Sequence, residues 1–582
     1  MRLTTAGTLV VLALPWQRLT AQTDSVVPDL APLIAQPVSE MRPVLERWNA
    51  DRGALGRRYS VEYSPQREQR YRSFYAAWRA RLAALPFDRL SRSAQIDYIL
   101  LDNRIRNEQA LVDRDVQRAA EMATLLPFAD TLDAMLEQRR RMVRPDPARA
   151  AAEIAWMTGQ LDSATARLGT HGAQLPSRIV AYRAADAVAG LHRQFQGWSR
   201  FYLGYDPAMT WWVAVPAKKF ETALDAWRKF LREKIVGARP GEDEPIVGDP
   251  IGADGLAADL RAEMIDYTPA ELITLAEHEL AYLQGEARKA SREMGFGDDW
   301  KAALEKVKND YPPVGEQTTT VRDMIREAIT FVKARDFVTV PPLITEVIRM
   351  EMMSAEAQKT NPFFLGGEVI QVSSPTDDMS DDEKLMSLRA NNIPMSRATA
   401  FHEMIPGHAL QGFIAARSNP YRQMFSTPFY VEGWALWWEM HLWDLGFERT
   451  PEERMGALFW RMHRAGRIIF SLRFHLGEWT PQQCIDFLVD SIGHERASAT
   501  GEVRRSFNGN YSPLYQAGYL LGGMQLRSLY NDLVGGHRMT EKQFHDAVLA
   551  AGPMPIEMIR AVLEPGIKLN RDYTANWRFA GN

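Results

Sequence analysis

The stretch Thr399-Ala400-Phe401-His402-Glu403-Met404-Ile405-Pro406-Gly407-His408-Ala409-Leu410-Gln411 sets two histidines on either side of a carboxylate. Neutral imidazoles are good ligands for a divalent ion, and an adjacent carboxylate can take the proton of an attacking water, so these are the residue types of a hydrolytic zinc site. In the usual zincin helix the histidines stand four apart and share one face. Here they stand six apart. On a regular helix six residues turn the side chain by about 600° and advance it about 9 Å, which leaves His408 about a third of a turn from the face of His402. Pro406 has no N–H to offer the carbonyl of His402, and Gly407 tolerates unusual backbone angles. A local bulge at Ile405-Pro406-Gly407 is therefore expected to swing His408 back, giving a His-Glu-x-x-His helix with a two-residue insertion.

A third ligand is expected from Tyr430-Val431-Glu432-Gly433-Trp434-Ala435, which places a carboxylate at the start of a second apolar helix. The expected site is then His402, His408 and Glu432 around Zn2+, with water in the fourth position and Glu403 as general base. Three other readings stand beside it. The pattern could be a coincidence around a helix break in a non-catalytic binding protein; the same centre could hydrolyse a non-peptide amide or ester; or two histidines and a carboxylate could hold iron as a facial triad.

The string His402 to Gln411 followed by Tyr430 to Leu436 resembles the bacterial family known as domain of unknown function 885. The likeness continues through Arg467, His475-Leu476-Gly477-Glu478-Trp479-Thr480 and Glu502-Val503-Arg504-Arg505, over most of residues 340–560. More distantly, the motif without Ile405-Pro406 is similar to the thimet oligopeptidase family, and Pro513-Leu514-Tyr515-Gln516-Ala517-Gly518 to the carboxypeptidase Taq family. That resemblance implies a mostly α, large multi-helical gluzincin-like fold with a small β-sheet beside the metal helix, a deep cleft, and a short peptide as substrate. It also implies a tyrosine donating to the tetrahedral intermediate. Tyr515 is the first candidate for that donor, then His475 and Tyr511. An arginine could hold a substrate carboxylate with two prongs, for which Arg504 and Arg467 are the candidates. In gluzincin-like folds an edge strand pairs with the substrate, and the segment Phe363 to Ser373, containing Gly367, is placed in sequence to do so.

The elements that must position these residues are helical throughout. With 582 residues, 46% of them hydrophobic, and 16 tryptophans, the chain can bury a large core. A net charge of −4 gives no electrostatic case for nucleic acid. Residues 1–22 read as a signal peptide: Arg2, then an apolar Thr8 to Trp16 too short to span a bilayer, then Leu19-Thr20-Ala21 for cleavage. No later run is a candidate membrane span. A periplasmic or secreted protein follows. The lone Cys484 can form no intramolecular disulfide.

Residues 23–340 are expected to form an N-terminal helical region and one wall of the cleft, and 341–582 the metal-binding region. Within the first, 23–60 reads as a lead-in segment wrapping the surface, and Asp146-Pro147 and Thr268-Pro269, the latter with Glu271, read as helix starts. Ala208 to Pro216 reads as a strand or cleft-lining segment and Thr376 to Glu383 as a solvated loop. His278-Glu279 reads as a solvated helix face, and His494-Glu495 as a decoy without a metal partner.

Overall fold

The computed structural model describes residues 26–28, 30–35, 38–358, 366–509 and 511–580. The expected signal peptide and Phe363 to Leu365 lie outside these. Helices dominate, and the one sheet among the described residues is a pair of parallel strands, Arg349–Met352 and Val369–Val372, in register Arg349 to Val369. The fold class expected from the sequence, mostly α with a minor sheet, is what the structure has. No helix among the described residues is long and apolar enough to cross a membrane.

The apolar side chains divide into two cores. One gathers Val61 with residues 122–247, from helices Ala129–Arg140, Pro147–Gly169, Arg178–Tyr202 and Pro207–Phe230. The other joins residues 41–105 to residues 256–579. The second core spans residue 340: helices Arg92–Met122 and Pro269–Glu293 pack into the same interior as the histidine motif. A buried ion pair, Asp97 with Arg422 at 2.8 Å, ties the first of these to the C-terminal half.

Helix starts follow local chemistry. Thr268 and Glu271 make a reciprocal capping box, and Asp146 accepts from the Arg149 N–H ahead of a helix with Pro147 in its first turn. Three readings need correction. Ala208 to Pro216 lies inside helix Pro207–Phe230, whose buried Met209, Val213, Ala217, Phe220, Leu224 and Trp227 recur at three and four; Pro216 sits within the helix without ending it. Thr376 to Glu383 ends in helix Asp381–Ala390, started by a Ser380–Glu383 capping box. The lead-in segment contains helix Arg42–Arg58, which buries Leu45 and Trp48 rather than only wrapping the surface.

Four helices carry the site. Ile393–Glu403 is capped by Asn392, His408–Ala415 follows it, Pro428–Asp444 is capped by Thr427, and Tyr515–Tyr530 packs along the third. The last two approach to backbone contact. A Cβ on Gly433 would stand 2.6 Å from Gly522 Cα, so only glycine lets them close. That approach sets Glu432, one residue before Gly433, against Tyr515 at the head of the facing helix. Beneath them runs helix Pro451–His475, buried along nearly all its length.

Candidate metal centre

The two-residue insertion does not make a bulge inside one helix. It separates two helices, one ending at Glu403 and the next beginning at His408, with a cis Ile405–Pro406 peptide in the connector. Gly407 N–H donates to the Phe401 carbonyl at 3.0 Å, and a Cβ on Gly407 would fall 1.8 Å from the His402 carbonyl oxygen. Nothing larger than glycine fits. Trp434 Nε1 donates to the Pro406 carbonyl at 2.9 Å, and Gln411 Nε2 to that of Tyr430, so the connector is pinned to the helix that carries Glu432.

The result is the convergence that regular helix geometry forbids. The His402 and His408 rings are 4.8 Å apart and nearly perpendicular. Their Nε2 atoms lie 3.7 and 3.2 Å from the same oxygen, Glu432 Oε2, and that buried oxygen makes no hydrogen bond. Ligands held about 2.0–2.2 Å from one tetrahedral ion stand about 3.3–3.6 Å from each other, so this donor set fits zinc in kind and spacing.

One nitrogen or oxygen from each of His402, Glu403 and His408 also falls within 4.8 Å of the others, so Glu403 competes with Glu432 for the role of carboxylate ligand. Hydrogen bonding separates the two carboxylates. Glu403 Oε2 accepts from the Gly366 N–H at 2.6 Å, where a Cβ on Gly366 would meet Glu403 itself, whereas Glu432 turns a bare oxygen to both imidazoles. Glu432 thus has the freer oxygen toward both imidazoles, with the Glu403 carboxylate held beside it.

The charges are arranged to keep the cluster tight. Burial alone would push the His402 imidazole down, but the Glu432 and Glu439 carboxylates on either side of the ring outweigh it and raise the group to about 9. Burial likewise opposes ionisation of Glu432, yet His408 and His402 hold it well below the usual carboxylate range. Glu439 Oε1 lies 2.6 Å from His402 Nδ1, the side of the ring facing away from Glu432. A buried site in which a carboxylate oxygen faces two imidazole nitrogens is one in which a divalent cation can take the place of protons.

A cavity of about 520 Å³ opens over the cluster. Its described lining residues run from Gly366 to Pro553. Tyr515 lines it and donates its hydroxyl to Glu432 Oε1 at 2.6 Å, with Tyr511 stacked on its ring at 4.0 Å. Arg467 lines it too, donating Nε to Glu502 Oε1 at 2.7 Å.

The family described as "Bacterial protein of unknown function (DUF885)" matches residues 51–563. The chain belongs to that family. Among solved structures, this DUF885 chain is similar to a protein of unknown function from Shewanella oneidensis, provisionally named a lipoprotein, at 19% identity and TM-score 0.65, covering 89% of this chain and 98% of that one. A second protein provisionally named a lipoprotein, from Colwellia psychrerythraea, is similar at 17% identity and TM-score 0.52, covering 86% and 90%. These likenesses concern the fold. No curated protein matches the chain.

The remaining candidates in this DUF885 chain fall elsewhere. His475 is buried at the end of its helix between Phe474 and Phe507, near Asp249, and does not line the cavity. Asp249 belongs to the segment that runs between the two cores. Arg504 points to that segment as well, bonding the Glu244 carbonyl and Asp243. Gly367 is outside the lining, at φ 124°, where the chain turns from Gly366 into the strand Val369–Val372. His494 is buried against His463 at 2.8 Å, whereas His278 is exposed, as a solvated helix face requires, and its neighbour Glu279 pairs with Arg461. Sequence reasoning missed Gly366, Arg464, Arg505 and Tyr519, which line the cavity. Arg505 lay one position beyond a residue it did consider.

Proposed function

We propose that this protein is an exported zinc-dependent metallopeptidase that hydrolyses short peptides, with His402, His408 and Glu432 holding the ion and Glu403 as general base. The observation that carries the reading is the single unbonded carboxylate oxygen of Glu432 faced by two imidazole Nε2 atoms at 3.2 and 3.7 Å. Zinc in such a site supplies a polarised carbonyl and a water acidified to a pKa of about 7.

The chain's own groups do the rest. Glu403, anchored through Oε2 by Gly366 N–H, takes the proton of the attacking water and returns it to the leaving amine. Tyr515, its phenol kept protonated chiefly by burial, donates its one hydroxyl proton to Glu432 Oε1 in the resting site and would turn it to the developing oxyanion during turnover. The resemblance to helical gluzincins supports a peptide substrate. The N-terminal segment supports export, and so do the names of the two fold relatives, which suit a cell-envelope setting.

The test is metal content together with Glu403→Gln. One zinc per chain in wild type and variant, with peptide turnover reduced about 10²–10⁴-fold in the variant, is the expected result. A purified protein that takes up no zinc, or a variant with full turnover, would overturn the reading.

A further inference from the structure

The cavity has a second charged wall beside the metal cluster. Arg464 and Arg467 reach it from helix Pro451–His475, and Arg505 from helix Arg496–Phe507. Two carboxylates answer these three guanidinium groups. Arg464 Nη2 is 3.3 Å from Glu439 Oε1, Arg467 Nε is 2.7 Å from Glu502 Oε1, and Arg505 Nη2 is 2.6 Å from Glu502 Oε2. Both acceptors have other commitments, Glu439 to His402 Nδ1 and Glu502 to Gln516 Nε2. One positive charge is left over.

Donors are left over with it. Arg467, 2% exposed, has a buried Nη1 without a hydrogen-bond partner, and Arg464 Nε and Arg505 Nε are in the same condition. Burial opposes ionisation of Glu502, but Arg467 and Arg505 hold it at about 2, so the network stays charged at neutral pH. Unmade hydrogen bonds on buried charged groups cost free energy, and a binding site is where a fold tolerates them until a ligand supplies the acceptor.

The position relative to the metal cluster fixes the scale. The guanidinium carbons of Arg467 and Arg464 lie 4.3 and 4.7 Å from the centre of the Tyr519 ring, and that ring lies 6.2 Å from the His402 ring, within 12° of parallel. The arginines are thus one aromatic ring removed from a ligand histidine. An extended peptide covers about 3.3–3.6 Å per residue, so that gap spans only a few residues. A planar guanidinium matches a carboxylate bidentately, and a single surplus charge suits a monoanion better than a phosphate dianion.

We propose that Arg467 and Arg505, backed by Arg464, form an anion subsite that takes the free C-terminal carboxylate of the substrate, so that cleavage falls within the last few residues of the peptide. This rests on the peptidase reading above. The probes are N-acetyl-Ala-Ala-Phe as the free acid and the same peptide as its C-terminal amide. Binding to metal-free protein is followed by calorimetry, and cleavage with the zinc-loaded enzyme.

Metal-free wild type should bind the acid at least about tenfold more tightly than the amide, as expected for a charge-assisted bidentate contact. Arg505→Gln should bring the ratio close to one, and Arg505→Lys should recover part of it. Equal binding of acid and amide by wild type overturns the subsite, and so does a preference that survives undiminished in a folded Arg505→Gln. If that variant does not fold, the wild-type ratio decides alone. Preferential binding of the acid without cleavage of either peptide keeps the subsite and sinks the peptidase reading; equal cleavage of both does the reverse.

Discussion

Glu439 and Tyr515 touch the candidate ligands from outside, and their contacts fix what those ligands can do. Glu439 Oε1 lies 2.6 Å from His402 Nδ1, which leaves Nε2 facing Glu432. Partners of this kind set ring orientation and raise ligand basicity, so Glu439→Gln should weaken zinc affinity by about 10–100-fold. Competition with a chelator measures this, and unchanged affinity would remove the role. Tyr515→Phe tests two functions at once. Loss of the bond to Glu432 Oε1 should weaken zinc, and at saturating zinc kcat should still fall by about 10²–10³-fold if the hydroxyl serves the oxyanion. A normal kcat would leave Tyr515 as a clamp on Glu432 alone. At this scale the central residues were legible because His402, Glu403 and His408 are close in sequence and Glu432 opens a helix of evident type. Glu439 is not legible, because nothing in the spacing of helix Pro428–Asp444 sets it apart from Asp444, which pairs instead with Arg527 at 2.9 Å.

Helix Pro428–Asp444 reaches its partner Tyr515–Tyr530 through glycine, and the site depends on that closeness. A Cβ on Gly433 would meet the backbone of Gly522, which has no side chain to move aside, and a Cβ on Gly522 would stand 2.2 Å from the Phe429 carbonyl oxygen. Gly433→Ala should therefore destabilise the protein by about 1–3 kcal/mol, the usual cost of overpacking. It should lower zinc affinity as well, since Glu432 and Tyr515 flank the crossing. Denaturant unfolding with a chelator titration checks both, and a variant as stable as wild type with normal affinity would show that the crossing can relax. The legible elements were those with end signals, such as Thr268-Pro269 with Glu271. Helix Pro207–Phe230 reads as a short segment because Pro216 has the look of a breaker, while its buried positions continue to Trp227. The Ser380–Glu383 capping box was overlooked within a run of acids that reads as solvated loop. The parallel strand pair depends on contacts between distant segments, which no local pattern announces.

The molecule as a whole buries histidines that bear on its acid stability, and these lie in the larger core, which joins residues 41–105 to 256–579 across the expected domain boundary. His545 accepts from Trp437 Nε1 at 2.9 Å through Nε2, and its Nδ1 lies 2.9 Å from the Phe337 carbonyl oxygen, so the neutral ring is satisfied on both sides. Burial pushes it down to about 3, with His441 and Glu541 as its titratable neighbours. His494 shares a 2.8 Å contact with His463, where one proton serves two nitrogens; burial again dominates and brings it to about 3, with Glu502, Lys308, Arg467 and Arg505 around it. His475, near Asp249, Arg114 and Arg118, is pushed by burial to about 4. All three bind protons less readily folded than unfolded. Their contribution to stability is therefore fully present above about pH 6.5 and is lost as pH falls toward 3–4, because below 6.5 the unfolded chain takes up protons that the folded chain refuses. At pH 5 each should have cost on the order of 2 kcal/mol relative to pH 7. His402, raised to about 9 in the metal-free protein, does not offset this, since its contribution is constant below 6.5 and lost only as pH rises toward 9. Urea unfolding of metal-free protein should show a steep loss between pH 6.5 and 4, shallower in His475→Gln. That variant should keep peptide turnover close to wild type at pH 7, because His475 lies off the cavity. Stability indifferent to pH across that window would mean that these rings are hydrated in solution, and a large loss of turnover in His475→Gln would return that residue to the chemistry.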